Sequence, residues 1–334
     1  MRIGTLYDPS LPNSRYRCVI PLQALAERGH EIIWPGDRET VRRLFECDLV
    51  HMHRQYGPAT DSLVSELRRR GVAISYDNDD DLSAIHRDSP NYRQLGGLRG
   101  QRDFLATARV ARRAALVTTP SRVLAERYRR AGAHHVEVIE NYLPAEFEAQ
   151  KQRRHPGLVI GWIAGLEHAV DASRLGLGDV LLRLLNVYPR VRVAVIGTDL
   201  RLGHDRYFHL ERSDFDGLLH AAAGFDIGIA PLADTDFNAA RSNVKLKEYA
   251  ALGIPWLASP VGAYVGLGPA QGGRLVGDDG WEDALSELIG HPLRRARLAQ
   301  RARAWAHDQV IGVAAPQWEH AFAAAVGRMR AGCI

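Results

Sequence analysis

Short apolar runs alternate with stretches of helical periodicity along almost the whole chain. Arg2–Tyr7, Glu31–Trp34, Asp48–His53, Val72–Tyr76, Ala115–Thr119 and Val136–Ile139 read as strands, each a brief apolar run bounded by turn-forming or charged residues. Between them, Tyr16–Arg28 is amphipathic and closed by Gly29, Thr60–Arg70 is a helix stopped by Gly71, and Arg102–Arg113 is a basic helix. The chain turns polar and charged from Glu146 to Pro156, which marks a linker, and the alternation then restarts. Strands follow over Leu158–Ile163, Arg192–Ile196, Tyr207–Leu210, Ile227–Ala230 and Trp256–Ala258, with helices over Ser173–Tyr188 and Ser213–Ala222. Trp281 to Met329 is mostly helical, broken at Gly312–Pro316. Repeated βα units of this length predict doubly wound parallel sheets. The fold class is therefore α/β with two Rossmann-like domains, residues 1–150 and 151–312, and a C-terminal helix over 313–334. Ligands in such sheets bind at the carboxyl ends of the strands, so the residues just after each strand become the site candidates.

Composition changes this picture little. The 334 residues allow two domains with separate cores, and 46% hydrophobic with 25% charged residues is ordinary for a globular protein. No apolar run approaches the roughly 20 residues of a membrane span. The opening MRIGTLYDP reads as a first strand and not as a signal peptide. Cys18, Cys47 and Cys333 are widely spaced and give neither a metal pattern nor a disulfide framework, which predicts a cytoplasmic location. A net charge of +4 is compatible with a sugar nucleotide, with peripheral contact to an acidic membrane surface, or with nucleic acid, and does not select among them.

The densest candidate chemistry lies in RSNVKLKEYAALGIPWLASPVGAY, Arg241 to Tyr264. Ser242 or Asn243 can cap a helix start, Leu246, Tyr249 and Ala250 recur at helical spacing, Gly253 suits a left-handed helix stop, and Pro255 prevents resumption. A helix N-terminus favours an anion, and Arg241 with Lys245 makes it a good seat for a diphosphate. Glu248 lies about one turn, roughly 5 Å, further along, where a carboxylate could accept from ribose hydroxyls. An ordinary αβ unit with a solvated lysine and glutamate would carry the same residues.

Other candidates follow the strands. After the first come Arg15 and Arg17, able to meet a phosphate or an acceptor, or simply to sit on the surface. There is no G-x-G-x-x-G there, so a dinucleotide fingerprint is absent. After the third comes HMHRQYG, with His51 and His53 on one face but no further metal-ligand spacing. After the fourth, Asp77, Asp79, Asp80 and Asp81 crowd into five residues, as an acidic cap, a sugar-hydroxyl site or a general base. Arg102, Arg109, Arg112 and Arg113, then Arg122, Arg127, Arg129 and Arg130, form either solvated helix faces or a surface for an anionic partner.

The segment from Glu248 through Ala251, Gly253, Pro255 and Ala258 to Ser259 resembles the donor-site pattern of GT-B glycosyltransferases, in particular glycosyltransferase family 4. FNAARSN, Phe237 to Asn243, resembles a subgroup with a basic residue and Ser before the helix. The resemblance implies two Rossmann-like domains facing a cleft, with a last helix that crosses back to the first domain. It implies a nucleoside-diphosphate sugar as donor substrate, with no cofactor and no metal. Donor contacts would come from Gly165, His168, Arg241, Ser242, Asn243, Lys245 and Glu248, with Glu248 on the ribose. Asp79 and Asp80 stand where the family carries a His beside the reacting sugar, so one of them would act on the acceptor, with Arg15, Arg17 and Asp77 nearby. Many retaining members carry a second Glu eight positions before the first. Ala240 is found there, which leaves inverting or retaining transfer open. The implied acceptor is a glycan or lipid-linked sugar, with a modified base in DNA as an alternative. A sugar-nucleotide epimerase of the same plan, or a module that only binds, is the rival of another class.

Overall fold

Two six-stranded parallel sheets organise the molecule. A computed structural model of the chain describes residues 1–145, 147, 155–211 and 215–332. The first sheet comprises β1 (Arg2–Leu6), β2 (Glu31–Ile33), β3 (Leu49–His53), β4 (Ala73–Asp77), β5 (Leu116–Thr119) and β6 (Val136–Val138), in the order β2-β1-β3-β4-β5-β6. Around it lie α1 (Ile20–Glu27), α2 (Arg38–Arg43), α3 (Pro58–Arg69), α4 (Tyr92–Leu95), α5 (Gly97–Ala111) and α6 (Arg122–Arg130). The second sheet comprises β7 (Leu158–Ala164), β8 (Val191–Gly197), β9 (Tyr207–Leu210), β10 (Ile227–Ala230), β11 (Trp256–Ala258) and β12 (Gly273–Leu275), in the order β12-β11-β10-β7-β8-β9. Its helices are α7 (Ala169–Arg174), α8 (Leu177–Val187), α9 (Phe215–Ala222), α10 (Asp236–Ala239), α11 (Val244–Ala251), α12 (Trp281–Gly290) and α13 (Pro292–Ala306), and α14 (Ile311–Arg330) ends the chain. β3 and β4 are buried along their whole length, as central strands covered on both faces must be. In each sheet the strand order reverses beside the first strand, between β1 and β3 and between β7 and β10, and a crevice opens at such a point.

Two glycines shape the second domain where it matters for the site. Gly253 has φ +70° and closes α11 as a left-handed cap, its N–H donating to Ala250 O (2.9 Å) while Ile254 N–H reaches Tyr249 O (2.8 Å). Gly197, at the end of β8, has φ +101°, and a Cβ there would lie 2.0 Å from Ala164 O, so the loop after β7 can fold against it only because the side chain is missing.

The structure departs from the periodicity in several places. The helix expected over Ser173–Tyr188 is two, α7 and α8, divided at Gly176 with φ +55°. α2 was not legible as a helix, yet Asp37 caps it by accepting from Glu39 N (3.1 Å) and Thr40 N (3.0 Å). The break expected at Gly312–Pro316 is absent: α14 runs through it, with Gly312 and Pro316 on the exposed side where water can take the carbonyl that proline cannot pair. Glu146 and residues 148–154 of the expected linker, Ser213 at the start of one expected helix, and Cys333 lie outside the described residues.

α14 does not pack on the domain that precedes it. Trp318 and Phe322 are buried against His51 of β3, with ring centroids 5.6 and 5.2 Å apart. Glu319 accepts from Arg28 Nε (2.8 Å) and lies 2.9 Å from His30, while Arg328 donates to Ala115 O (3.0 Å) and Arg330 to Asp48 (2.8 Å). The two chain crossings between the domains are also joined: Leu143 N–H donates to Gln309 O (2.8 Å) and Ile311 N–H to Leu143 O (2.7 Å).

Candidate active site

The carboxyl ends of both sheets face a cleft of about 740 Å³. Its first-domain wall is the loop after β1, Arg54 after β3, and Asp79 and Asp80 after β4. Its second-domain wall is the loop after β7 and the stretch from α10 into α11. Of the residues singled out in the sequence, Arg15, Asp79, Asp80, His168, Arg241, Ser242, Lys245 and Glu248 line this space.

Arg241 is the fixed cation of the second-domain wall. One Nη donates to Glu167 Oε1 (2.9 Å), the guanidinium lies over Phe237 (5.5 Å to the ring centroid), and the other Nη is buried without a hydrogen-bond partner. Burial opposes its charge, but Glu167 and, across the cleft, Asp80 hold it firmly protonated. Burial likewise works against the Glu167 carboxylate, yet Arg241 holds it well below the usual carboxylate range. Sequence reasoning missed Glu167. Its carboxylate folds over Gly165, where an added Cβ would meet Oε2 at 2.4 Å, so the space beside that glycine is taken by a side chain in this structure.

Glu248 is 5% exposed and accepts from Tyr16 Oη of the first domain at 2.6 Å. Tyr16, which sequence reasoning also passed over, is held protonated by burial and by that carboxylate. Asn243 stands at the start of α11 but caps nothing with its side chain. Its Nδ2 instead donates to Glu140 (3.2 Å), while Ser242 Oγ accepts from Asn141 (3.1 Å). Lys247, fully buried, completes the join: its Nζ donates to Glu140 (2.7 Å) and to Asn141 O (2.9 Å) and lies 4.3 Å from the Tyr142 ring centroid.

Arg17 and Asp77, expected on the acceptor side, are both 0% exposed and do not line the cleft, which corrects that expectation. Arg17 grips Asp77 through Nε (3.0 Å) and Nη2 (2.6 Å), donates to Ile139 O (2.6 Å) and Asn141 Oδ1 (2.9 Å), and lies over Trp318 (5.2 Å). Thr118 donates to the same carboxylate at 2.5 Å. Two desolvated charges need this full set of partners, and having it they form a strut beneath the cleft.

Asp79 and Asp80 differ in state. Burial would raise Asp79, but His53 Nε2 (3.1 Å) and Arg54 Nη1 (3.6 Å) hold it well below the usual carboxylate range. Asp80 is raised by burial and by Asp79, with Arg54 (3.2 Å) and Asn13 (3.4 Å) as its donors. Arg54, the residue between these carboxylates, sits in the left-handed region at φ +56°. Neighbouring carboxylates pushed apart in this way divide into one fixed charge and one proton acceptor. Among the described residues no group of three or more His, Cys, Asp or Glu side chains could hold a metal ion.

The basic helix faces are partly neutralised. Arg109 and Arg113 share Asp61 (3.1 and 3.8 Å), Arg130 pairs with Glu126 (3.1 Å), and Arg127 reaches Asp81 and lies over Phe104. No helix is long and apolar enough to cross a membrane among the described residues.

No family model and no curated protein matches the chain. Solved structures do. The Anabaena protein HepE in complex with UDP and glucose is 18% identical, with 97% of this chain and 99% of that chain covered and a TM-score of 0.68. Sucrose-phosphate synthase from Thermosynechococcus elongatus is 16% identical over 97% of this chain and 99% of that one, with a TM-score of 0.68. A Listeria monocytogenes protein assigned as a UDP-N-acetylglucosamine 2-epimerase is 13% identical over 96% and 95%, with a TM-score of 0.59. The fold is GT-B: two Rossmann-like domains with a cleft between the carboxyl ends of their sheets.

Proposed function

We propose that the protein transfers a sugar from a nucleoside-diphosphate sugar to an acceptor hydroxyl. The observation that carries this reading is the order of groups along the start of α11 within one cleft: Arg241, with a buried Nη still to be satisfied, then Lys245, then Glu248 one turn on. That order suits diphosphate followed by ribose. HepE, of the same fold, binds UDP and glucose in a solved structure, which favours a nucleotide of this kind.

In the proposed reaction the acceptor oxygen bonds to the anomeric carbon, the bond from that carbon to the diphosphate oxygen breaks, and the acceptor proton passes to a base. Asp80 is the candidate base, because its raised pKa lets it take a proton that Asp79, tied to His53 and Arg54, would not. Arg241 and Lys245 stabilise the charge that develops on the departing diphosphate. Leu11, Leu82, Ile85 and Leu95 line the first-domain side, so an acceptor with an apolar portion, such as a lipid-linked sugar, suits that wall. The ion pairs along α3, α5 and α6 leave less free positive charge for duplex DNA than the arginine count suggests.

The test is a thermal-shift titration with UDP, GDP, ADP, TDP and CMP on the parent and on Glu248→Ala. One diphosphate stabilising the parent, and much less the variant, is the expected result. No shift with any of them at millimolar concentration would remove the donor site. Turnover of the nucleotide sugar to its epimer without acceptor would replace transfer by epimerisation.

A further inference from the structure

The loop after β7 carries an arrangement that diphosphate binding leaves unused. His168 is buried, its ring 5.7 Å from that of Trp162, and its Nδ1 lies 2.7 Å from Asp171 Oδ2. Asp171, itself buried, is held by two further donors, Ala233 N–H (2.9 Å) and Asn238 Nδ2 (2.6 Å), both on Oδ1. An ionised carboxylate only accepts, so Nδ1 carries the proton, and in the neutral ring Nε2 presents a bare lone pair. Nε2 has no hydrogen-bond partner, and His168 lines the cleft. Burial and the Arg241 guanidinium oppose protonation of the ring, while Asp171 and Glu167 (Oε1 at 4.0 Å) favour it, and the pKa stays below its ordinary value. His168 thus meets the cleft as a neutral ring and an acceptor.

A phosphate oxygen has no proton to give and would face this lone pair unfavourably, whereas a sugar hydroxyl donates readily. Arg241 and Lys245 already supply the donors a diphosphate needs. We propose that His168 Nε2 accepts a hydrogen bond from a hydroxyl of the transferred sugar, so that the His168–Asp171 pair reads the sugar and takes no part in the diphosphate clamp. The proposal rests on the donor-site reading above.

The test is calorimetry on the parent and on His168→Ala with UDP, GDP, ADP and TDP and with their glucose conjugates. The expected result is unchanged affinity for the diphosphate and a loss of about 3–10-fold for its glucose conjugate, the equivalent of one net hydrogen bond. One monodeoxyglucose conjugate should show the same loss on the unaltered protein and no further loss on the variant. Equal losses for diphosphate and conjugate would overturn the proposal and leave the donor site standing. So would uptake of about one proton per diphosphate bound by the parent, measured in two buffers of different ionisation heat, since the ring would then be serving as a cation. The proton-uptake measurement needs no substitution. If the parent binds none of the eight compounds, the donor-site reading fails and takes this proposal with it.

Discussion

Tyr16→Phe is the most informative single change, because it edits one atom that joins the two walls of the cleft. The Tyr16 hydroxyl donates to Glu248 at 2.6 Å, and both residues are at most 8% exposed. Removing it leaves the buried carboxylate one donor short, while the aromatic ring keeps its packing. A hydrogen bond to a charged group contributes about 1.5–3 kcal/mol. With an unfolding entropy of about 2.1 cal/mol/K per residue, a chain of 334 residues shifts by about 1.4 °C per kcal/mol, so the melting temperature of the nucleotide-free protein should fall by roughly 2–4 °C. If Glu248 also receives the ribose, bound nucleotide restores part of what was lost. The assay is then differential scanning fluorimetry with and without nucleoside diphosphate at about a hundredfold excess over Kd, where binding itself contributes about 2.7 kcal/mol. The nucleotide-induced shift should be larger in Tyr16→Phe than in the parent. An unchanged melting temperature without nucleotide, or a smaller induced shift in the variant, would refute the reasoning: in the first case Tyr16 is not supporting Glu248, in the second it is itself a nucleotide contact.

Asp80→Asn should lower kcat by about 10²–10⁴-fold and abolish the acid limb of the kcat profile, which in the parent should lie above the ordinary Asp range because the Asp80 pKa is raised. Asp79 has the opposite sign for stability: its folded pKa is depressed, so its contribution is present above the unfolded value and is lost as pH falls through and below it, which urea titrations from pH 6 down to pH 3 would register. Asp77→Asn should cost about 3–5 kcal/mol, since it strands the buried Arg17 charge, yet at a permissive temperature the acceptor KM should stay near the parent value. A large rise in that KM with intact stability would return Asp77 to the acceptor site.

The fold was legible because its signal is periodic. Runs such as Leu49–His53 and Ala73–Asp77, with helical stretches between them, define parallel sheets before any contact is known. The start of α11 was legible for a different reason: Ser242 and Asn243 stand just ahead of the apolar spacing of Leu246, Tyr249 and Ala250, which Gly253 and Pro255 close. What could not be read was which of two nearby basic residues faces the cleft. Arg15 and Arg17 are two apart, as are Lys245 and Lys247, and residues two apart on a helical turn point to nearly opposite sides. In both pairs the second member is the buried one, neutralised by Asp77 or by Glu140 from a distant strand end. Sequence spacing has no access to those partners, which lie 60 and 107 positions away. Glu167 had a local sign that went unused, since a carboxylate beside a histidine in a loop after a central strand is already at the ligand end of the sheet.

The placement of α14 also sets an order of events during synthesis. The first domain has all six of its strands once Val138 has left the ribosome, but Trp318 and Phe322, which fill its core against His51, are made only after the whole second sheet. At the usual 5–20 residues per second, that domain waits roughly 10–40 s with an apolar face unfilled. The second domain, built from contiguous chain, can fold in the meantime. The earlier-made half of the molecule is thus the later to mature, and a nascent chain cut short before residue 311 would release a finished second domain tethered to an incomplete first. Quality control that removes chains with exposed apolar surface would in this way also remove every product lacking its C-terminal helix.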